Sequence, residues 1–189
     1  MPFPEAPVKE KMKSFFGKKP SEPAPRGADA PLISVDARLP EPAVLTCNQD
    51  IPLSILVKRL NSSSDPIYMQ SLQVSLNANT KVRAHDVFRT EQNSWIIMSK
   101  SNMGVLIGSK TDREGTEVAI DDRLWRGQAL PNTIAPSFET CNIARSYCLD
   151  VRIGLSCSGP SHGGKVSKSY MQQTVSIVPL VRSLRSYHC

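Results

Sequence analysis

Residues 130–156, LPNTIAPSFETCNIARSYCLDVRIGLS, join a proline-punctuated loop to a strand with a plain two-residue period. Tyr147, Leu149, Val151, Ile153 and Leu155 share one face, and Cys148, Asp150, Arg152 and Gly154 share the other. Such alternation sets one face against a core and the other against water, which antiparallel sheets permit. The same signature recurs upstream. Ile33, Val35, Ala37 and Leu39 alternate with Ser34, Asp36 and Arg38; Pro40, Glu41 and Pro42 interrupt, and Ala43, Leu45 and Cys47 resume. Leu53, Ile55 and Val57 form a third run, closed by a polar turn cluster at 61–66. Leu72, Val74 and Leu76 alternate with Gln73 and Ser75, and the period continues as Val82, Ala84 and Asp86 opposite Arg83 and His85. Trp95 with Ile97, and Val118 with Ile120, mark two more short strands. Residues 99–108 read as extended without a period, and only residues 121–125 hint at a helical turn. Short strands divided by turn chemistry predict an all-β fold, an antiparallel immunoglobulin-like β-sandwich.

Length and composition bound this reading. The chain has 189 residues, room for one domain plus tails, and its 40% hydrophobic content suffices for a core. The net charge of +6 points to nucleic acid or an anionic membrane only if it sits in the folded part. It does not. Residues 1–30 carry six Lys/Arg against four acids, residues 158–189 carry four Lys/Arg and no acid, and 31–157 balance at thirteen of each. Three segments follow: a Pro/Lys-rich linker at 1–31 holding seven of the fifteen prolines, a sandwich at 32–157, and a basic tail at 158–189. Phe15 and Phe16 lie among lysines in the linker, where they read either as solvated or as a contact for an acidic membrane. Five cysteines without a C-x-x-C pair, and no signal peptide, predict a reducing, cytoplasmic setting. The sequon at Asn61 matters only in a secreted chain. Apolar runs fall far short of the roughly 20 residues of a membrane helix, so membrane contact is expected to be peripheral at most, at the plasma membrane or endosomes.

Residues 130–156 closely resemble the C-terminal domain of fungal arrestin-like proteins, the alpha-arrestins. Residues 33–61 (ISVDARLPEPAVLTCNQDIPLSILVKRLN), 68–86 and 94–125 are similar to their counterparts there, so the likeness spans about 33–156. It implies a single arrestin-type sandwich, with the family's other domain upstream of Met1. It further implies an adaptor that recognises cytosolic segments of membrane transporters or receptors and brings a HECT-type ubiquitin ligase to them for endocytosis. The family's P-P-x-Y motif for that ligase does not occur in this sequence. After Ser156 the family pattern stops, and two readings stand for residues beyond about 165: out-of-frame or intron-derived sequence, or a divergent last strand from Thr174 to Leu180.

Chemistry-bearing constellations are scarce, and no catalytic, cofactor-binding or metal-ligating residue is nominated. His85 and Asp86 are neighbours, and neighbours on a strand point to opposite faces, so they cannot orient one another. His162 and His188 have nothing beside them to align a nucleophile. Cys141 and Cys148 read as two partly buried thiols. No glycine-rich phosphate loop occurs, and basic residues are not interleaved with aromatics as nucleic-acid stacking requires. Lys58 with Arg59, and Lys81, Arg83 and His85 on one strand face, form either a small cationic patch for an acidic or phosphorylated partner or a solvated face. The expectation is a non-enzymatic adaptor without cofactor. The alternatives are a stand-alone β-sandwich binding module, which would favour clustered exposed aromatics, and a non-functional gene fragment.

Overall fold

The computed structural model describes residues 31–63, 65–108, 111–160 and 166–182. The expected linker with Phe15 and Phe16 lies outside them, as do His162, His188 and Cys189. Among the described residues eleven strands follow in chain order: β1 (Ile33–Arg38), β2 (Val44–Thr46), β3 (Ser54–Arg59), β4 (Ile67–Ala84), β5 (Val87–Lys100), β6 (Val105–Ile107), β7 (Glu117–Ala119), β8 (Phe138–Glu139), β9 (Ile143–Pro160), β10 (Val166–Ile177) and β11 (Leu180–Arg182). The one helical turn among the described residues spans Asp122–Leu124.

Strands β10-β9-β4-β5 form an antiparallel sheet, with β6 added to β4 and β8 to β9; β1-β3-β7 form a second antiparallel sheet, and β2 pairs with β11 in parallel. The inward period read from the sequence is the core of this all-β antiparallel sandwich. Leu149, Val151 and Ile153 on β9 are 0% exposed. They lie opposite Leu76, Val74 and Leu72 on β4, and Ala37, Ile55 and Val57 complete the cluster from the second sheet. Each such aliphatic side chain stabilises the fold by about 1.5–3 kcal/mol when fully buried. A β-bulge between Met69 and Ser71 shifts the β4–β9 register and brings Ser71 against Gly154, where a Cβ would collide with the serine hydroxyl.

Two differences from expectation matter. The period predicts strand through residue 86, whereas β4 ends at Ala84 and His85-Asp86 form the turn of the β4–β5 hairpin. His85 sits at φ 52°, a left-handed conformation that histidine tolerates better than most residues. In addition, β9 continues to Pro160 and pairs with β10 along that strand's whole length, from Val166↔Pro160 to Ile177↔Leu149. The last strand thus starts well before Thr174 and stops short of Pro179, after which β11 packs Val181, 0% exposed, into the core.

A side chain closes the seam between the sheets. Gln173 on β10 donates from Nε2 to the Ile33 carbonyl (2.8 Å) and accepts from the Val35 amide (3.0 Å), so its amide bonds β1 as a neighbouring strand would. At the other flank Trp125 is buried and donates its indole N–H to the Leu53 carbonyl at 3.0 Å. Asp121 caps the turn that positions it, accepting from the Arg123 amide at 2.9 Å.

Candidate functional site

Burial fades along the β4–β5 hairpin. Leu72, Val74, Leu76 and Ala78 are buried, Val82 is half-buried and Ala84 is exposed, while β5 is exposed from Val87 through Ser94. The distal half of the hairpin is therefore an arm that extends past the core, flanked by the start of β9 through the pairs Val82↔Ile143 and Lys81↔Ala144. A strand solvated on both faces cannot draw stability from a core, so the arm depends on its base.

Arg145 organises that base. Its Nε donates to the Tyr147 hydroxyl at 2.7 Å and its Nη1 to Thr80 Oγ1 at 3.0 Å. Its guanidinium carbon lies 5.8 Å from the Trp95 ring centroid and 5.4 Å from that of Tyr147, within reach of cation–π attraction. Tyr147 passes the connection on, donating its hydroxyl to the Ala135 carbonyl and so tying the 131–137 loop to the core strand. Burial pushes the Tyr147 phenol up from its ordinary value, and the bond from Arg145 only partly opposes this. The phenol stays protonated and remains a donor at neutral pH. The Cys47 thiol donates to the Ile134 carbonyl at 3.5 Å, a second tie on the same loop; burial raises its pKa above the usual thiol value.

The arm's outer face carries Lys81 and Arg83, with the Arg83 guanidinium carbon 5.4 Å from the centroid of Phe88 across the hairpin. Val87, Phe88 and Ile96 are exposed apolar residues on β5. The candidate cationic patch does not assemble as expected. Lys58 and Arg59 belong to β3 in the other sheet; Lys58 pairs with Glu117 at 3.3 Å. Arg59 is buried and donates to the Ser63 and Asp65 carbonyls, fixing the polar turn between β3 and β4. On the arm, His85 leaves the strand at the turn, so only Lys81 and Arg83 share the face.

The thiols also differ from one another. Cys141 is exposed rather than partly buried, because it lies in the turn between β8 and β9 and not on a strand. Cys148 is half-buried and donates to Asp150 Oδ1 at 3.4 Å. Burial foremost, and then the bond to Asp150, raise its pKa. Among the described residues no three His, Cys, Asp or Glu side chains gather as a metal site. A cleft between Val57, Ile67, Ile107, Asp112 and Val118 encloses about 10 Å³, room for roughly one water and none for a metabolite. No helix among the described residues is long and apolar enough to cross a membrane.

Sequence reasoning did not find the arm as a unit. The period read through Val82, Ala84 and Asp86 runs past the turn and none follows on residues 87–94, which are exposed on both faces, and the turn lacks the Asn-Gly or Asp-Gly signal of a two-residue hairpin. The one available signal is the pair of apolar residues Val87-Phe88 immediately after a charged run.

No family model matches the chain, and no curated protein matches it in sequence. Among solved structures, it is similar to Spo0M, a sporulation control protein from Bacillus subtilis, with 10% sequence identity and a TM-score of 0.37. The match covers 79% of this chain and 49% of that structure, so the chain spans about half its length.

Proposed function

We propose that this protein is a non-enzymatic adaptor of the fungal arrestin-like type, acting on cytosolic segments of membrane transporters or receptors in ubiquitin-dependent endocytosis. The observation that carries the reading is residues 130–156, where the resemblance is densest. There the loop is held to the core strand by the Tyr147 hydroxyl on the Ala135 carbonyl and by the Cys47 thiol on the Ile134 carbonyl. A sandwich with a projecting two-stranded arm suits such work, since exposed strands and end loops bind extended segments without a catalytic pocket. The protein acts in the cytoplasm and reaches the plasma membrane or endosomes peripherally. The family's P-P-x-Y motif does not occur in this sequence, so direct recruitment of a HECT-type ligase by these residues is not part of the proposal.

A carbohydrate-binding module is the weaker reading. Trp125 is 4% exposed and half-buried Trp95 has Arg145 over one face, so the two indoles form no clustered, exposed platform for a sugar ring.

The test is uptake of a panel of fluorescent transporters in fungal cells deprived of their own arrestin-like adaptors and supplied with the full chain. Accelerated removal of at least one transporter from the plasma membrane is expected, with ubiquitin on that transporter. Unchanged surface residence across the panel, with the protein expressed and folded, would refute the adaptor reading.

A further inference from the structure

We propose that the outer edge of β5 is a self-association surface, on which two copies pair their β5 strands antiparallel about Gln92 and so join their two large sheets into one. The strand is fourteen residues long, and among the described residues it pairs only with β4. From Val87 to Ile96 its register with β4 runs without a shift; the bulge on β5 falls just beyond, at Ile97, between the pairs Ser75↔Ile96 and Val74↔Met98. Proteins ordinarily blunt such edges with prolines, bulges or brevity. No proline or bulge interrupts β5 between Val87 and Ile96, its two charges there, Arg89 and Glu91, pair with one another, and Phe88 and Ile96 stand on one face 73% and 64% exposed.

The occupant follows from how this edge complements itself. In an antiparallel pair only groups that point outward from both strands can bond, so a two-fold pairing must be centred on a residue. Centring on Gln92 sets Phe88 of each copy opposite Ile96 of the other, covering both exposed apolar side chains twice over. On the opposite face Arg89 meets Trp95, and Glu91 meets Asn93. The neighbouring registers are worse. Centring on Glu91 sets two carboxylates face to face, Thr90 leaves Ile96 uncovered, and Asn93 puts the charges of Arg89 and Glu91 against Ile97 and Trp95. A foreign segment would be selected by an edge of one sign. This one carries both signs, with Arg89 and Glu91 already paired at 3.1 Å.

Sedimentation of the full chain from low to high micromolar concentration tests the proposal. A monomer–dimer equilibrium is expected, with the dissociation constant raised at least tenfold by Phe88→Lys or by Ile96→Lys. Both positions are exposed, so circular dichroism and melting should remain those of the parent chain. Nitroxide labels placed singly at 90, 92 and 94, with the accessible cysteines replaced by serine, then report the register. The spin–spin distance should be shortest at 92 and longer by a similar amount at 90 and 94, because each two-residue step displaces the labels by about 14 Å along the strands. A monomer throughout, lysine variants that dimerise as tightly as the parent, or a minimum at another position would each overturn it.

Discussion

Replacing Gln173 with leucine should loosen the seam between β1 and β10 while leaving volume nearly unchanged. The side chain makes two hydrogen bonds, to the Ile33 carbonyl and from the Val35 amide, across separations of 140 and 138 residues in sequence. Each neutral bond of this kind contributes about 0.5–1.5 kcal/mol net, so Gln173→Leu should cost about 1–3 kcal/mol. The β1 groups that lose their partner are only partly buried, and water recovers some of the loss, which places the expectation near the middle of that range. For a chain of this size, about 2 kcal/mol corresponds to a fall in Tm of roughly 4–8 °C. Gln173→Glu sharpens the test: the carboxylate still accepts from Val35 but cannot donate to Ile33, so it should retain part of the stability. Urea unfolding gives the free energies, and amide exchange at Val35 reports the bond itself. Val35 should exchange faster in Gln173→Leu and stay slow in Gln173→Glu. A cost below about 0.5 kcal/mol, within the range of ordinary surface substitutions, together with unchanged Val35 exchange, would refute the claim that this amide closes the seam.

Three further outcomes are expected. Trp125→Phe strands the Leu53 carbonyl that the indole N–H satisfies and should lower stability by about 1–3 kcal/mol, read as a shift of the urea midpoint; a shift near zero would mean that water replaces the bond. Arg126 hydrogen-bonds the Asp122 carboxylate and holds it below the ordinary carboxylate range. The pair's stabilising contribution is thus present above about pH 4 and is lost as acid protonates Asp122; carbon-detected titration should show the Asp122 midpoint rising toward the ordinary range in Arg126→Ala, with Arg123 and Asp121 still holding it down in part. Finally, thiol labelling followed by peptide mapping should modify exposed Cys141 first and half-buried Cys148 more slowly. Because the Cys148 pKa is raised, its lag should shrink as pH rises. Cys47 and Cys157 should react only on unfolding, and early labelling of either would contradict the packing.

How much of this was legible follows from where burial supplies a pattern. The face of Tyr147, Leu149, Val151, Ile153 and Leu155 was readable because every second side chain meets the core. Likewise Ile33, Ala37, Ile55 and Val57 show their period because the second sheet is buried on one side. The arm escaped for the opposite reason: residues 87–94 are exposed on both faces and carry no period. Arg59 was misassigned since sequence cannot tell a solvated cation from one whose donors are taken by the Ser63 and Asp65 carbonyls. Gln173 and Trp125 look unremarkable in sequence, and their roles depend on carbonyls far away along the chain.

The pairing of β2 with β11 and the Gln173 seam have a consequence for synthesis on the ribosome. Both join the first strands of the domain to the last, so the seam cannot form until residue 173 has been made, nor the β2–β11 pairing until residue 182. At about 5–20 residues per second, the edge of β1 and the groups of β2 wait roughly 7–30 s after their own translation. During that interval the nascent chain presents bonding groups and apolar side chains such as Leu45 with no native partner to receive them. A stall or truncation before β10 would extend the wait without limit, making the late strands the step that decides between folding and capture by chaperones or by another nascent copy.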